Sequence, residues 1–207
     1  MLSDATIGRL PLYLRELQQL QRQGQTRVQS GILARRLGFT DSQVRRDLSS
    51  FGSLGQRGVG YDIRGLISTI QNTLGSDRAW NVILVGVGNL GRALSGYRGF
   101  EQQGFRLVGA FDIDKSKIGM KLGPLTIQSI DAVDELIQRE SVELAILSVP
   151  AAAAVQVAQK LEIAGIAGIL NFAPVTVNQP RSHVTVVNVD LAVELQRLAY
   201  AVLRLKE

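Results

Sequence analysis

The chain has no cysteine, one histidine, and aromatic residues at only 5%. Without cysteine there is no disulfide, no thiolate nucleophile and no thiol redox sensor, so any response to redox state has to come through a bound ligand. His183 stands apart from any cluster of acids or imidazoles in the sequence. It reads as a surface or strand residue, and neither a metal site nor a histidine base is expected. No apolar run approaches the roughly 18 to 20 residues needed to cross a bilayer. The opening MLSDATIGRL also lacks the basic and apolar blocks of a secretion signal. A cytoplasmic protein without membrane or metal partners is expected. Lysine, finally, is missing from residues 1–78 altogether.

What is present is unevenly placed. With 45% hydrophobic residues over 207 positions the chain can bury a substantial core. Residues 1–78 carry 11 arginines against 6 acids, net +5, whereas residues 79–207 carry 12 basic and 12 acidic groups. Such an asymmetry fits a polyanion-binding module joined to a neutral ligand-binding module.

In the basic third, Ile7, Leu10, Leu14, Leu17 and Leu20 step by three and four and predict the inner face of a helix, with Pro11 marking a kink or the first turn. A second helix follows with Ser30 as its N-cap, Ile32, Leu33 and Leu37 inward, and Gly38 as its stop. TDSQ, 40–43, predicts a capping box that opens a third helix. On that helix Val44, Leu48 and Phe51 face inward, leaving Gln43, Arg46 and Ser49 outward and Arg45 at the flank. Two short helices joined by a tight turn form a helix-turn-helix, whose second helix enters the major groove of double-stranded DNA. There Arg can pair with guanine and Gln with adenine. The glycine-rich FGSLGQRGVGYDI predicts a β-hairpin wing with Arg57 and Gly58 at its tip. A helix over about 63–74 follows, with Leu66, Ile70 and Leu74 in register. GSDRAW, 75–80, then marks a domain boundary.

The rest alternates aliphatic runs with helical segments. NVILVGV, RLVGAFDI, VELAILSV, AGILNF and HVTVVNV predict strands of a parallel sheet covered on both faces. VGVGNLGRAL carries a GxGxxG that follows a buried strand and opens a helix at about Asn89. Asp112 stands 21 residues after Gly91, at the end of the next strand. Gly86 permits the tight turn, Gly88 lets the backbone approach a pyrophosphate, and Gly91 allows close helix–strand packing. The helix start offers free N–H groups to phosphate. Asp112 can accept from ribose hydroxyls, and FDID holds two carboxylates with no adjoining arginine, so NAD(H) is expected over NADP(H). The stretch after the boundary suits a Rossmann domain without a separate substrate domain, and it is poor in catalytic groups. A dinucleotide used as a signal explains both halves. The alternative is a small NAD-dependent oxidoreductase with a tyrosine or lysine as its acid.

RLPLYLREL, SQVRRDLSSFGSLGQRGVGYDI, VGVGNLGRAL, GILNFAPV and NVDLAVEL together resemble, along essentially the whole chain, the Rex family of NADH-responsive transcriptional repressors. The resemblance implies a homodimer that binds palindromic operators when NADH is scarce and lets go when NADH binds, derepressing genes for respiration or NADH reoxidation. It places the recognition helix at 42–50, with Arg46 where lysine is frequent in the family, a change that keeps the charge. It places the dinucleotide loop at Gly86, Val87, Gly88, Asn89, Leu90 and Gly91, the ribose acid at Asp112, and a nicotinamide-side tyrosine at Tyr97. A switch pair is implied at Arg15 and Asp190. Leu191, Leu195, Leu198, Val202 and Leu205 form an apolar stripe, and in the family this last helix crosses to the partner subunit. The expected α/β architecture is a winged helix-turn-helix domain (1–78), a Rossmann NAD(H)-binding domain (79–189) and a C-terminal dimerisation helix (190–207), with no catalytic residue.

Overall fold

Ser3 opens the first helix by accepting from the Thr6 N–H at 3.2 Å, and α1 then runs over Asp4–Arg22. The computed structural model describes residues 2–52, 55–56, 59–178 and 184–204. Pro11 therefore lies inside α1 and not in its first turn. Its missing N–H leaves the Ile7 carbonyl without a helical donor, at a residue that is 43% exposed. Ile7 was expected inward. The buried stripe instead runs through Thr6, Leu10, Tyr13, Leu14, Leu17 and Leu20, because the first turn faces a polar partner described below.

After the short strand β1 (Arg27–Val28), α2 spans Ser30–Leu37. Extended Gln29 holds the cap position, so Ser30 is the first helical residue and caps nothing with its side chain. Gly38 ends α2 at φ +72°, the left-handed conformation that glycine adopts without strain. Thr40 then accepts from the Gln43 N–H at 3.2 Å and starts α3, Asp41–Ser49. β2 (Gly55–Gln56) and β3 (Gly60–Asp62) pair antiparallel, and β3 pairs also with β1. They form the base of the expected hairpin; Arg57 and Gly58 lie outside the described residues. Asp62 caps α4 (Ile63–Leu74) by accepting from the Gly65 N–H at 2.7 Å. Leu10, Leu14, Leu33, Leu48, Leu66 and Ile70, from all four helices, make one core within this unit.

The chain divides into two compact units, Met1–Arg78 and Ala79–Glu207. In the second, β4 (Trp80–Val85) is followed by α5 (Asn89–Ser95), α6 (Gly99–Gln102) and β5 (Phe105–Asp112). A hairpin of β6 (Lys121–Leu122) and β7 (Leu125–Ser129) comes next, then a 3-10 turn into α7 (Val133–Glu140). β8 (Leu144–Leu147), α8 (Ala151–Ile163), β9 (Gly168–Asn171), β10 (Thr185–Asn188) and α9 (Leu191–Arg204) complete it. The strand order is β10-β9-β8-β4-β5-β7-β6, parallel except for β6. Each expected strand segment overlaps one of these strands, β4 and β5 each starting one residue earlier than expected, and the β6–β7 hairpin is additional. The order reverses beside β4, which has β5 on one side and β8 on the other.

The sheet carries helices on both faces, as expected, but unequally. One face is packed by α7 and α8 over Ile83, Val85, Phe111 and Ala145. On the other, α5 and α6 are only seven and four residues long. A hollow of about 470 Å³ remains there, lined by Trp80, Phe100, Phe105, Leu144, Ile146 and Val187 among others. α9 buries none of its residues, and Leu191, Leu195, Leu198 and Val202 are all exposed.

A candidate ligand cradle and a helix-turn-helix surface

The three glycines of the loop after β4 differ in what surrounds them. Gly86 has φ +93°, and a methyl group on it would overlap the Ser148 carbonyl at the end of β8. Gly91 is buried where a methyl would overlap the Gly86 carbonyl, so α5 can approach the loop only without a side chain there. Gly88 has no atom within 4 Å of the place a Cβ would take. Two glycines thus let protein meet protein, and the third keeps space open. Asn89 begins α5, and Asn89 and Leu90 are exposed while Val87 is buried.

Asp112, at the tip of β5, is 6% exposed. Its Oδ2 accepts from the Val87 N–H at 2.8 Å and from the Lys117 ammonium at 3.0 Å, and its Oδ1 accepts from the Asp114 N–H at 2.9 Å. Burial pushes the carboxyl upward, yet the N–H groups of Asp114 and Val87, with Lys117, outweigh it and hold the group below the ordinary carboxylate range. Gly86, Gly88, Asp112, Lys117, Ser148 and Pro150 line a cavity of about 250 Å³ at the point where the strand order reverses. That is where open parallel sheets take ligands. The 470 Å³ hollow is larger but almost wholly apolar and away from the glycine loop, so the smaller cavity is the candidate site.

Lys117 escaped the sequence reading, which saw two carboxylates and no arginine beside them. The lysine stands five residues beyond Asp112, and the turn at 114–118 folds it back to Asp112 and, at 3.7 Å, Asp114. Asn171 was missed as well. Fully buried at the end of β9, it donates to the Val175 carbonyl and the Asn188 side chain at 2.8 Å each, and accepts from the Ala173 N–H at 2.9 Å. It ties the loop after β9 to β10.

The remaining expected residues are dispersed. Tyr97 is 60% exposed, with its ring edge-on to Phe100 at 5.1 Å and lying over Gly99, where a methyl group would overlap it. Asp190 caps α9 by accepting from the N–H groups of Ala192 (2.8 Å) and Val193 (3.3 Å). Arg15 is exposed on α1 in the other unit.

On α3, Arg46 and Ser49 are exposed and Gln43 is half-buried. The Ser49 hydroxyl donates to the Arg46 carbonyl at 2.8 Å, and Arg45 pairs with Asp41 one turn back. The inner face holds a group that sequence reasoning missed. Asp47, 2% exposed, accepts a two-pronged bond from Arg9 (Nε to Oδ2 2.7 Å, Nη2 to Oδ1 2.8 Å), one from the Tyr13 hydroxyl (2.8 Å) and one from the Thr6 hydroxyl (3.1 Å). Its signal was available: an acid between inward Val44, Leu48 and Phe51, matched on α1 by Thr6, Arg9 and Tyr13 at helical spacing. Among the described residues no group of three or more His, Cys, Asp or Glu is placed to hold a metal, and no helix is long and apolar enough to cross a membrane.

Residues 1–49 match the family model "Putative DNA-binding protein N-terminus", and residues 77–175 match the "CoA binding domain" model. The chain is 46% identical over 201 residues to the redox-sensing transcriptional repressor Rex of Carboxydothermus hydrogenoformans, covering 97% of this chain and 96% of that one. It is similar to the crystal structure of RSP in complex with β-NAD+ and operator DNA, at TM-score 0.91 and 36% identity, covering 100% of this chain and 94% of that one. For RSP in complex with β-NADH the TM-score is 0.88 and the identity 34%, covering 100% and 96%.

Proposed function

The chain belongs to the Rex family of redox-sensing transcriptional repressors, and from that premise we propose that it binds palindromic operator DNA as a homodimer and releases it when NADH fills the cradle of its second unit. One observation carries this reading. A glycine loop with one open position and an acid beneath it is joined to a unit whose only basic side chains are arginines. Gly86, Val87, Gly88, Asn89, Leu90 and Gly91 hold the pyrophosphate, and Asp112 takes the adenosine ribose through the acceptor capacity left on Oδ1. The "CoA binding domain" likeness is met by the same chemistry, since that coenzyme also carries an adenosine diphosphate. Its 3′-phosphate, however, would meet the carboxylates of Asp112 and Asp114, whereas NAD(H) brings hydroxyls there. NAD+ occupies the same cradle and leaves DNA bound.

Gln43, Arg45, Arg46 and Ser49 face the major groove, with Arg57 and Gly58 of the wing reaching the backbone or minor groove. For the dimer, a second copy supplies the apolar cover that exposed α9 and the open sheet face lack in one chain. The protein acts in the cytoplasm on DNA and is not an enzyme, in keeping with relatives named as repressors. In the NADH-bound state Asp190 pairs with Arg15, and in the DNA-bound state it stays with Tyr97. Reciprocity then requires operator DNA to weaken NADH binding by the factor with which NADH weakens operator binding, a coupling of about 1 to 3 kcal/mol. Fluorescence anisotropy of a labelled operator during NADH and NAD+ titrations, with sedimentation for the dimer, tests the reading. NADH turnover with simple carbonyl substrates and no sequence-selective duplex binding would favour a small oxidoreductase instead. Arg15→Ala and Asp190→Ala should keep most DNA affinity but respond less to NADH; full release by both would eliminate the pair as the switch.

A further inference from the structure

Nothing in the operator-binding reading explains why a basic unit buries an acid on the inner face of the very helix that presents its arginines. Val44 and Leu48 seat α3 against the core, but apolar contact has no direction and leaves the helix free to roll. Successive residues of an α-helix point about 100° apart. A small roll therefore redirects Arg46 and Ser49 while keeping Val44 and Leu48 under cover. Asp47 removes that freedom, because four hydrogen bonds meet its two oxygens from Thr6, Arg9 and Tyr13, all on α1. Hydrogen bonds weaken steeply off-axis, and the planar two-pronged Arg–carboxylate contact fixes orientation as well as distance. The set is anchored in turn, since the Thr6 hydroxyl lies 2.9 Å from Ser3 Oγ, the cap of α1.

We propose that Asp47, clamped by Thr6, Arg9 and Tyr13, is a positioning residue that sets the roll of α3 and thereby the sequence discrimination of the DNA surface. It touches no DNA itself. This rests on the operator-binding reading. The carboxyl supports it: burial pushes its pKa up, yet the bonds from Arg9, Tyr13 and Thr6 outweigh burial and keep it below the ordinary range, so the charged clamp persists at neutral pH.

The test uses the full chain and a duplex selected by the wild-type protein from a randomised pool, with a random-sequence duplex of equal length beside it. Asp47→Asn keeps the shape but replaces a charged acceptor; Arg9→Lys keeps the charge but cannot make the two-pronged contact. We expect the ratio of selected to random affinity to fall about tenfold in Asp47→Asn and about threefold in Arg9→Lys, with random-duplex and NADH affinities within about twofold of wild type. Repeating the selection with each variant should return a broadened or shifted sequence preference. A variant that is merely less stable loses active protein and keeps its preference. An unchanged ratio and preference in both variants overturns the proposal, as does equal weakening on both duplexes. If Asp47→Asn does not fold, Arg9→Lys decides by the same two readouts. Should wild type select no sequence at all, the operator reading fails and this inference with it; a discriminating wild type with unaltered variants fails this inference alone.

Discussion

Each unit buries an aspartate, and the two are held by different means. Asp47 meets only side chains from a neighbouring helix, and every bond ends inside the protein. Asp112 meets two backbone N–H groups and one lysine, and it lines a cavity. Both arrangements offset the cost of taking a carboxylate out of water. The difference lies in what remains. A carboxylate saturated by rigid donors can only orient its own helix, whereas one held by a loop, with an acceptor position to spare, can take a further donor. On the proposed readings, the basic unit uses its acid to aim arginines, and the neutral unit uses its acid to receive a ligand.

The hardest break in that contrast comes at Gly91. Alanine there would meet the Gly86 carbonyl, a backbone atom that cannot rotate aside. Over-packing costs about 1 to 3 kcal/mol where side chains can give, and occasionally more. With backbone as the obstacle, NADH affinity should fall by about 100-fold or beyond, some 3 kcal/mol. The first unit has its own core, so Gly91→Ala should still bind the operator at wild-type strength and no longer release it when NADH is added. Loss of operator binding along with NADH binding would show that the DNA-binding unit depends on an intact cradle for its own fold.

Next in size is Arg46→Ala. A side chain that reads a base contributes about 1 to 3 kcal/mol of discrimination, lost on the operator and not on random DNA. Equal weakening on both would make Arg46 a phosphate contact, and the salt dependence of binding would then become shallower by about one counterion.

Smaller effects should divide Asp112 from its lysine. Asp112→Ala removes the ribose acceptor and should narrow the preference for NADH over NADPH by about tenfold, or about 1.4 kcal/mol. Among the described residues Lys117 is the one cation on that carboxylate, and it could attract a 2′-phosphate. Lys117→Ala should therefore widen the same preference. Titrations of both nucleotides against both variants check the pair of signs, and a shift in the same direction for both would undo the ribose assignment.

Elements that announce themselves locally were legible in the sequence. Thr40, Gly38 and Gly75 mark helix ends through single-residue chemistry, and β4 reads as a buried strand because Val82 through Val85 are all covered. The glycine loop was legible because backbone crowding leaves no other residue type possible at Gly86 and Gly91. What depended on a partner far along the chain was not. β7, LTIQS, is half polar and becomes a strand only through pairing with β5 and β6. Asp47 shows only its inward phase on α3, and its partners emerge once α1 is brought onto it, with Arg9 38 residues back. Lys117 joins Asp112 through a turn that carries no periodic signal. Ile7 shows the converse, an apolar residue in phase with its stripe that is left outside because a polar clamp takes the contact.

The finest distinction is in acid. Both aspartates titrate below their ordinary value in the folded protein. An unfolded aspartate takes up its proton near pH 3.9, so between that pH and the lower folded value the unfolded chain binds more protons, and stability falls as the pH drops. The contribution of each ionised carboxylate is fully present above about pH 5 and is lost as the pH passes down through the depressed folded pKa. The stability gap between wild type and Asp47→Asn, or wild type and Asp112→Asn, should be constant near neutrality and close in that acid window. Trp80, the single tryptophan, reports the second unit, and the ring-proton resonances of Tyr13, whose hydroxyl donates to Asp47, report the first. NADH separates the two. If its ribose hydroxyls donate to the ionised form of Asp112, as proposed, that pKa falls further and the Trp80 transition moves to lower pH. Asp47 has no position open to a ligand, so the transition of the first unit should stay where it was. A shift of both transitions by the same amount would mean that the closed and the open carboxylate report one event, and the contrast between them would be lost.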